Sequence, residues 1–180
     1  ANGIGIVEIT GPMIKYGNWF YWGADELVAF AEAFERDPQI IGQIWLSDSG
    51  GGGIGAIAPY LEFLKKRTKP VIGLCDMSAS ANYYINAALD NVFAQNNISA
   101  MFGSIGVMAT LYDFRKYFES LGIKELIINA DQSDYKNKSV KDALDGKPED
   151  FKKEHLNPVA IQFQEFVKAN RKNLKLDVEG

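Results

Sequence analysis

The chain has 180 residues, of which 47% are hydrophobic, and its formal net charge at pH 7 is −4. This length suits one domain with a sizeable buried core, and the acidic balance argues against a nucleic-acid surface, which would need a basic stripe. The single cysteine, Cys75, excludes an intrachain disulfide. No window approaches the roughly 18 apolar residues of a membrane span. Because the chain lacks an initiator Met, we expect it to be part of a longer product.

The predicted elements alternate along the chain between strands and helices. Strand patterns cover residues 4–14, 40–49, 69–77, 91–95 and 123–130. Helical patterns cover 24–38, 53–66, 113–122 and 157–173, and a further helix follows the strand at 69–77 and runs to about Leu89. This alternation predicts an α/β protein with a mostly parallel sheet and flanking helices. We expect residues 1–180 to form a single domain, with a C-terminal helix at about 148–173.

A glycine-rich loop, LSDSGGGGIGA, follows the second predicted strand at residues 46–56. The carboxyl ends of strands in an open α/β sheet form the natural ligand crevice. Four consecutive glycines cost backbone entropy, and they indicate a backbone that directs N–H groups at a developing negative charge. A flexible loop is the alternative. A phosphate loop is disfavoured, because no Gly-Lys-Ser/Thr follows.

Two serines, Ser78 and Ser80, lie where the third predicted strand runs into a helix, in MSASA at residues 77–81. Such a turn can expose a nucleophile, but a serine there is more commonly a helix N-cap. Cys75 is the weaker nucleophile candidate, because it lies within an apolar strand. The one histidine, His155, lies in a charged stretch and is expected to be a solvated surface residue. A buried neutral lysine is the other possible base for a serine.

Several motifs resemble those of signal peptide peptidase A and of the related tailed-phage head maturation proteases. MSASANYYI at 77–85 is similar to their nucleophile segment, DSGGGG at 48–53 to their Asp/Asn-Ser-Pro-Gly-Gly loop, and FGSIGVM at 102–108 to their Gly-Ser-Ile-Gly-Val signature. The resemblance runs in the same order over roughly residues 4–140, which makes it more specific than any single motif. It implies the fold of the Clp protease proteolytic subunit and the crotonases.

The resemblance also implies a set of catalytic residues. Ser80 would be the nucleophile, and the N–H of Ala81 would form the oxyanion hole together with that of Gly51 or Gly52. The general base would be a lysine.

That lysine follows the strand IINA in the family. Lys136 fits best and Lys138 is the alternative. Ser104 matches the serine that hydrogen-bonds the base. The resemblance implies no cofactor and no metal.

Two residues depart from the family pattern. Gly50 replaces a proline, and Asn82 replaces a small residue two positions after the nucleophile. Both changes lower the expected efficiency without removing a catalytic group.

The biological setting follows only by analogy. The stretch ITGPMIKYGNWFYWG at residues 9–23 and the absence of a membrane segment favour the phage type. This type implies a cytoplasmic or procapsid-associated protein. A membrane anchor could still precede residues 1–180. The aromatic segment 18–22 is expected to be either ordinary core or a substrate or subunit contact. We expect a peptide or protein substrate and a homo-oligomer, and neither nucleic acid nor membrane as a partner of this segment.

Two other functions stay open. A crotonase-type acyl-CoA hydratase or isomerase would use the glycine loop for an enolate and would need carboxylates, for which Asp48 and Asp76 are candidates. A non-catalytic assembly subunit would keep only the fold.

Overall fold

The computed structural model describes residues 2–172 and residue 174. The chain divides into two compact units, one formed by Ala1–Gly106 with Phe163–Gly180 and the other by Val107–Gln162. Each unit is described by itself, and the single domain expected from the sequence stays a prediction. Residue 173, the predicted end of the C-terminal helix, lies outside the described residues.

The first unit contains a five-stranded parallel sheet. Its strands are β1 (Gly3–Thr10), β2 (Ile40–Ser49), β3 (Val71–Ala79), β4 (Asn91–Ala94) and β5 (Met101–Gly103). The order is β1-β2-β3-β4, and β5 pairs with the carboxyl end of β3, beyond the part that pairs with β4. The helices between them are α1 (Ala24–Arg36), α2 (Ile57–Lys66), which follows a 3-10 turn at Ile54–Ala56, and α3 (Ala81–Asn86). The predicted α/β class with a parallel sheet and flanking helices is confirmed.

The helices cover one face of this sheet. In β1 the residues Val7 and Ile9 are buried, whereas Ile4 and Ile6, which point to the other face, are about half exposed. This period-two pattern is that of a strand with one buried face. The buried face packs on apolar side chains of α1, α2 and α3 around Trp45, which is fully buried. The core therefore lies between the sheet and its helices, and it supports the strand ends from one side.

The second unit contains three short helices, α4 (Arg115–Ser120), α5 (Lys138–Leu144) and α6 (Glu149–Phe151), and a π-helical turn at Lys152–Leu156. The last helix, α7 (Asn157–Asn170), begins in the second unit and ends in the first. Two residues of its apolar stripe, Phe163 and Val167, are buried. Within the first unit, Phe163 and Phe166 pack on the ring of Tyr84 in α3 at centroid distances of 4.9 and 4.4 Å.

One local expectation is wrong, and one of the two alternatives for the aromatic segment 18–22 is excluded. The segment 123–130 was predicted as a strand, but it has no strand structure, and the side chains of Leu126 and Ile128 are 80% and 81% exposed. A strand needs a partner strand for its backbone groups, and no described strand pairs with this segment. The aromatic segment 18–22 does not form core, because Trp19 is 99% exposed.

Among the described residues, no helix combines the length and the apolar character needed to cross a membrane.

Candidate active site

Ser80 occupies a sharp corner between β3 and α3. Its backbone has φ 51° and ψ −124°, a region that residues other than glycine rarely adopt and that costs roughly 1–3 kcal/mol. Although Ser80 is at the N-cap position of α3, its side chain makes no capping hydrogen bond. The N-cap interpretation therefore does not account for this serine. Strain of this kind is typical of functional sites, and the half-buried hydroxyl is left available for chemistry.

The other two nucleophile candidates on this strand are inaccessible. Ser78 is fully buried, and its Oγ accepts a hydrogen bond of 2.8 Å from Nδ2 of Asn86. Cys75 is also fully buried, and burial raises the pKa of its thiol, which disfavours the reactive thiolate. Only Ser80 combines a free hydroxyl with a position at the end of the strand.

The glycine loop packs directly against this corner. Gly51 has φ 94°, and a Cβ added there would lie 2.7 Å from Cβ of Ser80 and 2.8 Å from N of Ala81. Only glycine permits this approach. The N–H of Gly51 donates to Oγ of Ser49 at 3.1 Å, and that hydroxyl donates to the carbonyl of Gly11 at 2.6 Å. The Gly51 N–H is therefore engaged within the protein.

Gly52 is held by the segment that follows β1. Met13 donates its N–H to the carbonyl of Gly51 at 2.8 Å, and Gly53 donates its N–H to the carbonyl of Met13 at 2.9 Å. Within residues 2–172 and 174, no acceptor receives the N–H of Gly52 or of Ala81. Because hydrogen bonds hold the loop on both sides, the flexible-loop alternative is wrong. The loop presents the free N–H of Gly52 on the side of the Ser80 corner, which carries the free N–H of Ala81. A Cβ added at Gly50 would meet only Sδ of Met77, at 3.8 Å. The glycine that stands here in place of the family's proline therefore leaves the hydrogen bonds of the loop intact.

Ser104 follows β5, next to the corner. The N–H of Ser80 donates to the carbonyl of Gly103 at 3.0 Å, which continues the pairing of β3 with β5. Ser104 has φ 54° and is exposed. The structure therefore brings Ser104 and the glycine loop to the same strand end as Ser80.

The two lysine candidates lie in the second unit. Lys136 is exposed, and its backbone N–H donates to the carbonyl of Ser133 at 3.0 Å in a turn. Lys138 forms an ion pair with Asp142, and the hydrogen bond that it donates to that carboxylate raises the pKa of Lys138. A general base must be neutral, so this contact disfavours Lys138. The exposure of Lys136 differs from the buried lysine expected from the sequence.

His155 also lies in the second unit and is exposed, as predicted. Its Nε2 is 3.1 Å from Oγ of Ser139, and its ring packs on Phe151 at a centroid distance of 5.0 Å. Glu154 approaches the same nitrogen at 3.8 Å. Among the described residues no carboxylate bonds to Nδ1, as a catalytic triad would require.

The carboxylates considered for other chemistries have local roles. Asp76 accepts hydrogen bonds from Asn96 at 2.8 Å and from Ser99 at 2.7 Å, which close the turn before β5. Asp48 is exposed at the end of β2. Across the part of the chain that the structure describes, no three His, Cys, Asp or Glu side chains are grouped so that they could hold a metal ion.

Comparison with known proteins shows the family of this chain. The model of peptidase family S49 matches residues 63–179, well over half of the chain and including the Ser80 corner. The chain belongs to peptidase family S49. The S49 relatives include the "Putative signal peptide peptidase SppA" of Enterococcus faecium, 30% identical over 163 residues, or 88% of this chain and 44% of the relative. Another is the "Serine protease SPPA, chloroplastic" of Arabidopsis thaliana, 29% identical over 129 residues, or 69% of this chain and 18% of the relative. The chain thus spans less than half the length of these relatives.

Sequence reasoning missed some residues around this candidate site. Met13 and Ser49 fix the glycine loop, and Asn86 bonds to Ser78 beneath Ser80. A signal for Asn86 existed, because Asn82 and Asn86 stand four residues apart in an otherwise apolar helix and so share a face. Met13 and Ser49 gave no comparable signal.

Proposed function

We propose that this chain is a serine peptidase of the S49 type, with Ser80 as nucleophile and a lysine as general base. The observation that carries the proposal is the Ser80 corner, where a hydroxyl that caps no helix, on a strained backbone, lies against a glycine loop in which the N–H of Gly52 has no acceptor among the described residues. The family membership supports the same reaction class. We propose that the fold is that of the Clp protease and the crotonases. The parallel sheet with its flanking helices supports this fold.

In the proposed reaction, Ser80 Oγ attacks the scissile carbonyl carbon and its proton passes to the neutral amine of the base. The carbonyl oxygen becomes an oxyanion, which accepts hydrogen bonds from the N–H groups of Gly52 and Ala81. The lysine then returns the proton to the leaving amine, and water hydrolyses the acyl-enzyme. We propose Gly52 rather than Gly51 as the loop donor, because the Gly51 N–H already donates to Ser49.

The base is proposed to be Lys136, with Ser104 as its hydrogen-bond partner. The ion pair of Lys138 with Asp142 supports this choice, because it stabilises the charged form of the alternative lysine. The exposure of the Ser104 side chain supports its availability to another group.

The substrate is proposed to be a peptide or a protein segment. The Enterococcus relative is named as a signal peptide peptidase, which favours the degradation of cleaved leader peptides. Maturation of a phage or prophage capsid is the second proposal, and it rests on the motif resemblance at residues 9–23. A cytoplasmic or procapsid-associated setting is proposed together with this second function.

We also propose that the protein acts as a homo-oligomer. Large apolar side chains are exposed in each unit, including Trp19 and Phe20 in the first and Leu126 and Ile128 in the second. The stripe of α7 does not support the proposal, because Phe163 and Val167 are buried within the chain.

The decisive experiment compares Ser80→Ala with Ser78→Ala on one peptide substrate. Ser80→Ala is expected to abolish cleavage and leave folding intact, whereas Ser78→Ala is expected to stay within about tenfold of the wild-type kcat. Loss of activity in Ser78→Ala alone would move the nucleophile. Hydration of a coenzyme A thioester by the wild type would instead favour the crotonase function, and a folded wild type with neither activity would favour an assembly role.

A further inference from the structure

A group of buried polar side chains lies beneath the Ser80 corner. We call it the amide cluster, and its members come from β2, β3 and α3: Ser47, Cys75, Ser78, Asn82 and Asn86. Ser47 is 2% exposed and the other four are fully buried. Hydrogen bonds in such surroundings are stronger than in water, and each one that is broken leaves a buried polar group unpaired.

Asn86 is the centre of the amide cluster. Its Nδ2 lies 2.8 Å from Oγ of Ser78, 2.9 Å from Oδ1 of Asn82, 3.0 Å from Oγ of Ser47 and 3.4 Å from Sγ of Cys75. An amide nitrogen has two hydrogens, so the two shortest contacts, to Ser78 and Asn82, are its principal bonds.

Those two partners stand on either side of Ser80. Ser78 precedes it by two residues in β3, and Asn82 follows it by two residues in α3. The corner needs such support, because Ser80 has a positive φ and α3 has only six residues. Such a short helix does not hold its own conformation. One amide group therefore joins the two arms of the strained turn.

Asn86 is itself anchored from the opposite side. Its backbone carbonyl accepts a hydrogen bond of 2.8 Å from Nη2 of Arg171, which also donates to the carbonyl of Leu89 at 3.0 Å. The end of α3 is thus tied to the segment after α7, and the amide of Asn86 is presented to the corner from a fixed backbone.

The amide cluster is poorly suited to stabilising the fold. Nδ2 of Asn82 and Oδ1 of Asn86 are buried without a hydrogen-bond partner in the described part of the chain. An unpaired buried polar atom is unfavourable, and apolar side chains of similar shape would avoid it. A role in placing the corner explains why two amides occupy these core positions.

We propose that Asn86, acting through Ser78 and Asn82, is a positioning residue that holds the backbone of Ser80 in its reactive conformation. The inference rests on the proposed peptidase function for its catalytic consequence. It adds that the asparagine found at residue 82, where the resemblance expects a small residue, is compensated by the amide of Asn86. Because Asn86 does not touch the substrate, its loss should lower kcat and leave KM nearly unchanged.

The test uses Asn86→Leu, which keeps the branched shape of the side chain and removes the hydrogen bonds, and Val71→Ala in β3 as a buried control variant. Val71 is fully buried and is not part of the amide cluster. Two quantities are measured on each protein: kcat and KM with one peptide, and amide hydrogen exchange in residues 77–86. We expect Asn86→Leu to lose about tenfold or more in kcat, to keep KM within about twofold, and to exchange faster than Val71→Ala over 77–86.

A folded Asn86→Leu protein with unchanged exchange over 77–86 would overturn the inference, even if the wild type is an active peptidase. Faster exchange together with a wild type that cleaves no peptide would support the positioning role and sink the proposed function. If Asn86→Leu fails to fold, Asn82→Ala is used instead, because it removes the hydrogen bond between Asn86 and Asn82. The kinetic constants and the hydrogen exchange over 77–86 of that variant then test the positioning role by the same criteria.

Discussion

The substitution Gly52→Ala tests whether the glycine loop places an oxyanion-hole donor. A Cβ at Gly52 would lie 2.2 Å from the carbonyl oxygen and 2.6 Å from the nitrogen of Met13, whereas ordinary contacts of a Cβ are 3.4–4 Å. Backbone atoms cannot rotate away, so the loop must move by about 1 Å. Gly52 does not have a positive φ, and the effect is therefore one of space and not of backbone strain.

The expected loss follows from that displacement. A misplacement of about 1 Å at a reacting centre can cost on the order of a hundredfold in rate, and removal of one oxyanion-hole donor costs a similar factor, about 3 kcal/mol. We therefore expect kcat of Gly52→Ala to fall about a hundredfold. The same overlap should lower the free energy of unfolding by roughly 1–3 kcal/mol, as overpacking does elsewhere.

Two control substitutions separate these effects. A Cβ at Gly55 meets nothing within 4 Å, so Gly55→Ala should keep both kcat and stability. A Cβ at Gly5 lies 2.5 Å from ring atoms of Phe34, so Gly5→Ala should lose stability and keep kcat. The assay is steady-state peptide cleavage below the melting temperature of every variant. Wild-type kcat in Gly52→Ala, or an equal loss in Gly5→Ala, would refute the reasoning.

Three further predictions concern the base, the acid stability and the assembly. Lys136→Ala should be as inactive as Ser80→Ala, whereas His155→Ala should be active. Cleavage by the wild type should rise towards alkaline pH, because a lysine base must be neutral. An inactive, folded His155→Ala protein would contradict this mechanism. Hydrogen bonds from Arg67 lower the pKa of Asp90 in the folded protein. This carboxylate therefore stabilises the fold at pH values above its unfolded pKa of about 3.9, and the stabilisation is lost as the pH falls through its lower pKa in the folded protein. Between pH 7 and pH 3, the free energy of unfolding measured in urea should therefore fall less in Asp90→Asn than in the wild type. An equal fall in both proteins would contradict this role of Asp90. Light scattering at micromolar concentrations should give a mass above that of one chain, and a sharp monomer would argue against an oligomer.

Much of the first unit could be predicted from the sequence because its signals are local. The apolar run at residues 40–49 coincides with β2, and the helical pattern from residue 24 matches α1, since side-chain periodicity follows directly from backbone geometry. The order of strands and helices likewise implied the parallel sheet and its crevice at the strand ends. The motif resemblance, not the periodicity, singled out Ser80 from Ser78.

Tertiary structure decided what depends on contacts between distant segments. The burial of Ser78, the engagement of the Gly51 N–H by Ser49 and the pairing of Gly52 with Met13 join residues that no local pattern connects. The failure of the strand predicted at 123–130 has the same cause, because a strand exists only where a second strand accepts its backbone hydrogen bonds. The sequence determined which residues could do chemistry, and the packing of β3 against the glycine loop decided which hydroxyl and which N–H groups are free to do it.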